Sequence, residues 1–314
     1  NNDSYGTVSA GASVLQEGQT TTITATPNTG YKVTAWSVSG TGASISPSGA
    51  SNSLTTTLTM GTAAATVTCT FGEATTYTIC YGAGSAEGVT GSRADETKTE
   101  AVAFTLPSTR IFTRSGYLQT GLNTNADGTS GTHYDLGGSY TTDAAQTFYP
   151  EWTKVDYSFA PSASSGSISA GDVITNSVGG KMVATNSGTT SVFSYASTPI
   201  GNSIEFGYNK DAGTGTGNVT ITLNKKMQVG TVIIGTLYWG AEKTDRSLNV
   251  LNSSGTTKAT WQLDAPDGGA SESFTYTVQA DDGLAGSNVF KLARKNTVYL
   301  TELYVYNCGD TYVI

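Results

Sequence analysis

The sequence predicts an all-β protein, and its composition, strand periodicity and turn chemistry each indicate this. Gly contributes 38 of the 314 residues, charged residues only 13%, and Thr and Ser fill the polar positions. β-Branched residues and Gly disfavour long helices and suit short strands with tight turns. In the most apolar stretch, residues 218–240, Val219, Ile221 and Leu223 alternate with threonines. Residues 231–239 are apolar on both faces, which predicts a central strand that the rest of this half must cover.

Charge and cysteine content limit the partners and the location. The formal charge is −8 and the pI about 4.6, so no basic field would recruit nucleic acid or an anionic membrane. No apolar run is long enough for insertion into a bilayer, and the first residues read as those of a fragment or processed product. The Thr-, Ser-, Gly- and Tyr-rich composition is typical of a secreted or bacterial cell-surface protein. Cys69 is predicted to point inward and Cys80 outward, so no disulfide is expected between them.

The first module consists of short strands separated by turn residues. A turn over residues 27–30 leaves Gly30 free to adopt a positive φ, and Tyr31 and Trp36 are the bulky residues available for a small core. The recognisable motifs are GTVSAG at 6–11, GQTTTITATP at 18–27, Gly30-Tyr31, Trp36, TMG at 59–61 and ATVTCTF at 65–71. Together they resemble the divergent form of the internalin B-repeat, a small, grasp-like β module of bacterial surface and secreted proteins. The resemblance implies a fold and no activity.

A second module resembles the standard internalin B-repeat. Its motifs are YTICY at 77–81, KTEAVAFTLP at 98–107, Gly116-Tyr117 and the closing FYPEW at 148–152. It departs from the family at Gly121-Leu122, where Gly-Trp is usual, and at Pro150-Glu151 before the final Trp. Because both modules share a Gly-Tyr landmark, we interpret them as a degenerate tandem. The predicted domains are therefore a divergent B-repeat at residues 1–73 and a B-repeat at residues 74–153.

The remaining residues, 154–314, predict a jelly-roll-like β-sandwich. Nine strands are expected, at residues 193–195, 203–208, 218–223, 231–239, 247–251, 258–263, 273–280, 289–293 and 298–306. The strands NVTITL, RSLNVL and VYLTELYV resemble those of β-sandwich modules appended to secreted pectate lyases and other carbohydrate-active enzymes. The resemblance implies a shape and a carbohydrate-binding role, and it singles out no catalytic residue.

Few residues of the types that usually perform catalysis are present, and none lies in a recognisable catalytic motif. His133 is the only histidine and lies in a loop without a matching nucleophile motif. Four aspartates of the third domain, Asp264, Asp267, Asp281 and Asp282, lie in turns, where local hydrogen bonding explains them. We therefore predict that the chain is not an enzyme.

Aromatic side chains and turn carboxylates provide the binding candidates. Sugar rings stack on exposed aromatic rings, and Tyr238, Trp239 and Trp261 are the candidate ligand-binding residues, with burial in the core as the alternative for each. Tyr238 and Trp239 are adjacent on a strand and must point to opposite faces, so one of them is expected to face outward. Asp281 and Asp282 are candidate ligands for a structural calcium ion, with Asp264 and Asp267 as the alternative pair.

Two functions stay open at this stage. In the first, the repeats are spacers of a non-catalytic, extracellular bacterial protein and present a sandwich that binds a polysaccharide or cell-surface glycan. In the second, the chain is a structural surface protein, an adhesin or a self-assembling fibre subunit, and it self-associates through strand edges that have few charges.

Overall fold

The computed structural model describes residues 4–185, 193–206, 218–239, 246–263, 270–295 and 297–310. Every regular element in these ranges is a β-strand, which confirms the predicted all-β class. The same residues include no helix of the length and apolarity that a membrane span requires. The chain divides into two compact units, Asn1–Thr113 with Gln119–Glu151 and Arg114–Leu118 with Trp152–Ile314.

The first module has two small antiparallel sheets around an aromatic core. Its strands are β1 (Gly6–Ala10), β2 (Thr20–Pro27), β3 (Tyr31–Ser39), β4 (Ser44–Ser46), β5 (Gly49–Ala50), β6 (Thr55–Thr59) and β7 (Thr66–Glu73). One sheet has the order β1-β2-β6-β4 and the other β5-β3-β7. Trp36 fills the core, and its indole Nε1 donates a hydrogen bond to the Ser53 carbonyl at 2.8 Å. Gly30 has a φ of +86°, as its turn requires.

The second module is built on a longer sheet. Its strands are β8 (Thr76–Tyr81), β9 (Val89–Thr90), β10 (Glu96–Thr99), β11 (Phe104–Thr105), β12 (Thr113–Arg114), β13 (Tyr117–Asn123), β14 (His133–Tyr134), β15 (Ser139–Tyr140) and β16 (Gln146–Lys154). The sheet order is β10-β8-β16-β13-β12-β9. Phe148 lies at the centre of the core, edge-on to Tyr134 and Tyr140 at 5.2 and 5.3 Å between ring centroids. Leu122, at the position where the B-repeat usually has Trp, is fully buried in the same core.

The third domain is a β-sandwich. Its strands are β17 (Tyr157–Phe159), β18 (Gly166–Ile168), β19 (Val173–Ile174), β20 (Ser177–Val178), β21 (Gly180–Thr185), β22 (Phe193–Thr198), β23 (Gly201–Phe206), β24 (Asn218–Leu223), β25 (Val232–Trp239), β26 (Arg246–Asn252), β27 (Thr257–Leu263), β28 (Ala270–Thr277), β29 (Val289–Lys295) and β30 (Val298–Tyr306). We call the sheet that contains β30 the front sheet and the sheet β19-β21-β24-β29-β26-β27 the back sheet. From β21 to β30 the chain crosses between the sheets at most steps, as in a jelly roll.

Strand β25 lies inside the front sheet, as its two apolar faces predicted. It pairs with β30 along one edge and with β28 along the other. Its inward residues Ile233, Leu237 and Trp239 join the sandwich core. Gly235 completes that inner face because a Cβ there would lie 2.5 Å from Cε1 of Phe274.

The hydrophobic residues form three separate clusters, one in each predicted module. The first module and most of the second belong to one compact unit, in which the Nζ of Lys32 lies 2.7 Å from Oε2 of Glu100. The module boundaries near residues 74 and 154 stay a prediction.

Candidate functional site

The outer surface of the front sheet holds a group of tyrosines and carboxylates. We call it the tyrosine face and define it by Glu205, Thr236, Tyr238, Tyr299, Glu302 and Tyr304. Tyr238 and Tyr299 are direct cross-strand partners on β25 and β30. Their ring centroids are 5.9 Å apart, the rings are tilted by 51°, and both side chains are half-buried. Two large rings are thus held side by side on the surface of a sheet.

Strand alternation and one bulge position these side chains. Leu237 and Leu300 face the core, so Tyr238 and Tyr299, their neighbours along the strands, face outward. The register shifts between Thr236 and Leu237, because Thr236 pairs with Glu302 while Leu237 pairs with Leu300. A bulge of this kind redirects side chains, and here both Tyr299 and Glu302 come to lie on the outer side of β30.

Hydroxyl groups fix the two carboxylates of the face. Oε1 of Glu302 accepts a hydrogen bond from Oγ1 of Thr236 at 2.7 Å, and its Oε2 accepts one from Oη of Tyr304 at 3.0 Å. Glu205 lies opposite Tyr299 in the register of β23 with β30, and its Oε2 accepts a hydrogen bond from Oγ of Ser194 at 3.1 Å. Both carboxylates are therefore held on the same surface as the rings.

Burial and the nearby Glu205 carboxylate raise the pKa of Tyr299, although the positive charge of Arg246 acts in the opposite direction. The phenol of Tyr299 therefore stays protonated at neutral pH and can donate a hydrogen bond. The tyrosine face combines apolar ring surfaces with hydroxyl donors and carboxylate acceptors. A surface of this kind can pack against the apolar C–H face of a sugar ring and hydrogen-bond its hydroxyls.

The three residues predicted to bind ligand do not share one surface. Tyr238 lies on the tyrosine face, as one of the adjacent pair was expected to do. Trp239 is only 3% exposed and belongs to the core, so its use as a stacking platform is incompatible with this structure. Trp261 lies at the edge of the sandwich, where it packs on Phe274 with ring centroids 4.9 Å apart. Tyr238 therefore remains a candidate ligand-binding residue, and its neighbours are the other residues of the tyrosine face.

The predicted calcium ligands differ in their surroundings. Asp281 is exposed, whereas Asp282 is buried and its carboxylate closes its own turn. Oδ2 of Asp282 accepts hydrogen bonds from Oη of Tyr276 and the N–H of Gln279, and Oδ1 accepts one from the N–H of Leu284, all at 2.7 Å. Within the described ranges, no group of three His, Cys, Asp or Glu side chains is arranged to hold a metal ion. A calcium site at these two residues stays a prediction, and the alternative pair, Asp264 and Asp267, lies outside the described residues.

A second polar cluster lies in the second module, around the single histidine. His133 places Nδ1 2.7 Å from Oε2 of Glu151 and Nε2 3.1 Å from Oδ1 of Asp135. The other oxygen of Glu151 accepts a hydrogen bond from Nδ2 of the buried Asn123 at 2.7 Å. The side chain is exposed, as the sequence predicted, but His133 lies on the short strand β14, where it pairs with Asn123, and not in a loop. The contact with Glu151, eighteen residues away, was not visible in the sequence.

His133 is expected to titrate above its ordinary value. The hydrogen bond to Glu151 and then that to Asp135 raise the pKa of the imidazole above 6.5. Folding favours the protonated imidazole, so His133 stabilises the folded protein. This stabilisation is complete at a pH below the pKa of His133 in the unfolded chain and is lost as the pH rises through its raised pKa in the folded protein. Because the chain has one histidine, its ring signals in an NMR titration are unambiguous. Glu151→Gln should lower this pKa more than Asp135→Asn, and an unshifted pKa in the unmutated protein would contradict the contacts.

The fold and the tyrosine face together define an all-β, multi-module chain that ends in a sandwich with an aromatic outer surface. Residues 1–75 match the family described as the divergent InlB B-repeat domain, which confirms the resemblance inferred for the first module. The resemblance of the second module to a B-repeat stays a prediction. Comparison with curated protein sequences found no match.

Similar solved structures include two carbohydrate-binding modules and a cyclase. The module from Clostridium stercorarium, solved with cellobiose, is 18% identical over 39% of this chain and 87% of its own, with a TM-score of 0.28. The module from the Cellvibrio mixtus lichenase 5A, solved with cellotriose, is 14% identical over 38% and 91%, with a TM-score of 0.27. A cyclase from Fischerella sp. is 15% identical over 49% and 84%, with a TM-score of 0.28. Scores this low establish neither a shared fold nor a shared ligand.

Proposed function

We propose that this chain is a non-catalytic, extracellular bacterial protein in which B-repeat modules act as spacers for a glycan-binding sandwich. The tyrosine face is the binding surface. The single observation that supports this role is the paired Tyr238 and Tyr299 rings with carboxylates fixed on the same face. The match of residues 1–75 to the B-repeat family supports the surface location, since such repeats are typical of bacterial surface proteins.

The proposal is of a binding module rather than an enzyme. His133 lies in the second module between two carboxylates, and the carboxylate of Asp282 is engaged by its own turn. The tyrosine face itself offers contacts suited to holding a neutral ring. Incubation with any polymer that the protein binds should therefore release no new reducing ends.

Removal of either paired ring should weaken binding while the domain stays folded. Ring stacking contributes about 0.5–1.5 kcal/mol beyond area burial, so Tyr238→Ala or Tyr299→Ala should weaken binding about tenfold. The measurement is affinity electrophoresis of the full chain in gels that contain soluble xylan, mixed-linkage β-glucan or glycol chitin. Circular dichroism reports whether each variant is folded.

Tyr5 provides a matched control. It also belongs to a tyrosine pair, stacked on Tyr31 at 4.7 Å between centroids, but in the first module. Tyr5→Ala should leave glycan binding unchanged. Equal loss in the Tyr5, Tyr238 and Tyr299 variants, or full binding by folded Tyr238→Ala and Tyr299→Ala, would exclude the tyrosine face as the site.

Self-association is the second candidate function, and one strand favours it. β28 pairs with β25 alone among the described strands, and its exposed residues include Ser271, Ser273, Thr275 and Thr277. A free strand edge of this kind can pair with another chain. Sedimentation velocity over a range of protein concentrations separates the two functions: growth of long particles without glycan binding would favour the structural role.

A further inference from the structure

The charges on the tyrosine face have one sign. The outward-facing positions on the described parts of β22, β23, β25, β28 and β30 include Glu205 and Glu302 but no Lys or Arg. The cation that acts on Tyr299 is Arg246, a buried residue of the back sheet. A ligand on this face therefore meets carboxylate oxygens beside the rings.

The two carboxylates flank the ring pair in different directions. Glu205 lies across the strand from Tyr299, on β23, and Glu302 lies further along β30 beyond the bulge. Ser194 fixes Glu205, while Thr236 and Tyr304 fix Glu302, so neither carboxylate must be ordered when a ligand arrives. A sugar stacked on Tyr238 and Tyr299 would place its ring substituents near both.

On the basis of the proposed glycan binding, we infer that this face selects polymers of amino sugars and rejects polymers of uronic acids. An ammonium group at C2 of a glucosamine unit donates a charge-assisted hydrogen bond to a carboxylate, and such bonds are about twice as strong as neutral ones. A uronate carboxylate at the same surface meets the like charge of Glu205 and Glu302, and the described outward-facing positions of these strands supply no Lys or Arg to offset it. Exposed ion pairs contribute about 0.2–1 kcal/mol, so each engaged carboxylate should favour a cationic sugar by up to about fivefold.

The test compares ligands of one length that differ in charge. The full chain is titrated by calorimetry with chitosan hexamer, chitin hexamer and galacturonate hexamer at low and high salt. Chitosan should bind more tightly than chitin, galacturonate should not bind, and the difference between chitosan and chitin should shrink at high salt because exposed charges are screened. Chitosan and chitin share a backbone and differ at the C2 nitrogen, where one carries an ammonium group and the other an N-acetyl group. The titrations are run in mildly acidic buffer, in which the glucosamine amine is protonated, and the salt dependence of the ratio reports the contribution of its charge.

Variants that replace one carboxylate with a neutral amide show which residues cause the preference for chitosan over chitin. Glu205→Gln and Glu302→Gln should bring chitosan binding toward that of chitin, while chitin binding stays the same. Glu272→Gln is the matched control, since Glu272 is an exposed carboxylate on β28 whose register partner, Leu237, faces the core. It should leave the ratio unchanged. Thermal unfolding shows whether the loss of the Thr236 and Tyr304 contacts in Glu302→Gln has altered stability.

The outcomes separate this inference from the proposed function. Equal binding of chitosan and chitin, binding of galacturonate, or binding of neutral glucans alone would overturn the amino-sugar selectivity and leave glycan binding intact. Failure to bind any charged or neutral oligosaccharide would overturn both. A chitosan preference that persists in the doubly substituted Glu205→Gln, Glu302→Gln protein would assign the selectivity to another surface and contradict the inference.

Discussion

Trp239→Ala is expected to destabilise the third domain by about 3–5 kcal/mol, the usual cost of deleting a large buried aromatic side chain. Trp239 is 3% exposed, and it packs in the sandwich core on the same inner face as Leu237. The lost ring leaves a cavity that neighbouring core side chains cannot fill without strain. Differential scanning calorimetry should show a lower unfolding temperature for the transition of this domain.

Two further substitutions make the Trp239 result specific. The indole Nε1 is buried and has no hydrogen-bond partner among the described residues, so Trp239→Phe removes no such bond and should cost much less. Tyr238→Ala, on the opposite side of the same strand, should weaken glycan binding about tenfold and lower the free energy of unfolding by only about 1 kcal/mol. A stable Trp239→Ala protein that no longer binds glycan would reverse these assignments.

Asp282→Ala should destabilise the same domain by about 3 kcal/mol. The substitution leaves the N–H groups of Gln279 and Leu284 and the hydroxyl of Tyr276 without their acceptor. The bond to Leu284 is buried and the other two are partly buried, and each unsatisfied buried donor costs about 1–3 kcal/mol before relaxation. Asp281→Ala is the control, because Asp281 is exposed and should change stability by no more than about 0.5 kcal/mol. The measurement is urea unfolding of both variants in the presence of a chelator.

The contribution of Asp282 also depends on pH. Burial alone would raise the pKa of this carboxyl, but hydrogen bonds from Gln279, Tyr276, Leu284 and Ala285 lower it below 3.8. A lowered folded-state pKa gives a stabilisation that is present above the unfolded value and is lost as the pH falls through the folded value. The difference in stability between the unmutated protein and Asp282→Asn should therefore narrow in acid. Equal stability of the two at neutral pH, or loss of stability only when calcium is removed, would contradict the turn-closing role.

Sequence patterns predicted the fold wherever a strand was long and regular. The strands at residues 218–223 and 298–306 have the predicted bounds, because clear alternation of apolar and polar residues marks their two ends. The strand at residues 273–280 was placed three residues too late, since its first residues, Ala270, Ser271 and Glu272, show no alternation of apolar and polar side chains. Five short strands between residues 157 and 185 were not predicted at all, because runs of two to six residues are too short to show a periodicity signal.

The candidate site was only partly predictable. Adjacent aromatic residues on a strand must point to opposite faces, and this made Tyr238 and Trp239 candidates. Only tertiary packing decides which of these two side chains is buried. The partners of Tyr238 come from register: Tyr299 lies sixty-one positions later in the chain, and a bulge sets the side on which Glu302 emerges. Tyrosines at positions 299, 304 and 306 were visible in the last strand. Without the bulge, simple alternation would have placed Tyr299 on the opposite side from the other two.

The antiparallel pairing of β17 with β30 determines how the third domain would respond to tension. Asp156, just before β17, accepts a hydrogen bond from the N–H of Cys308, just after β30, so the chain enters and leaves this fold at neighbouring points. A pull on those two points opens the strands from one end and breaks their hydrogen bonds in succession. Hydrogen bonds that break one after another do not share the applied force, whereas hydrogen bonds that are sheared at the same time do. A sandwich pulled at these two points should therefore unfold at low force. This suits a binding domain that bears no tension better than a load-bearing unit of a stretched fibre.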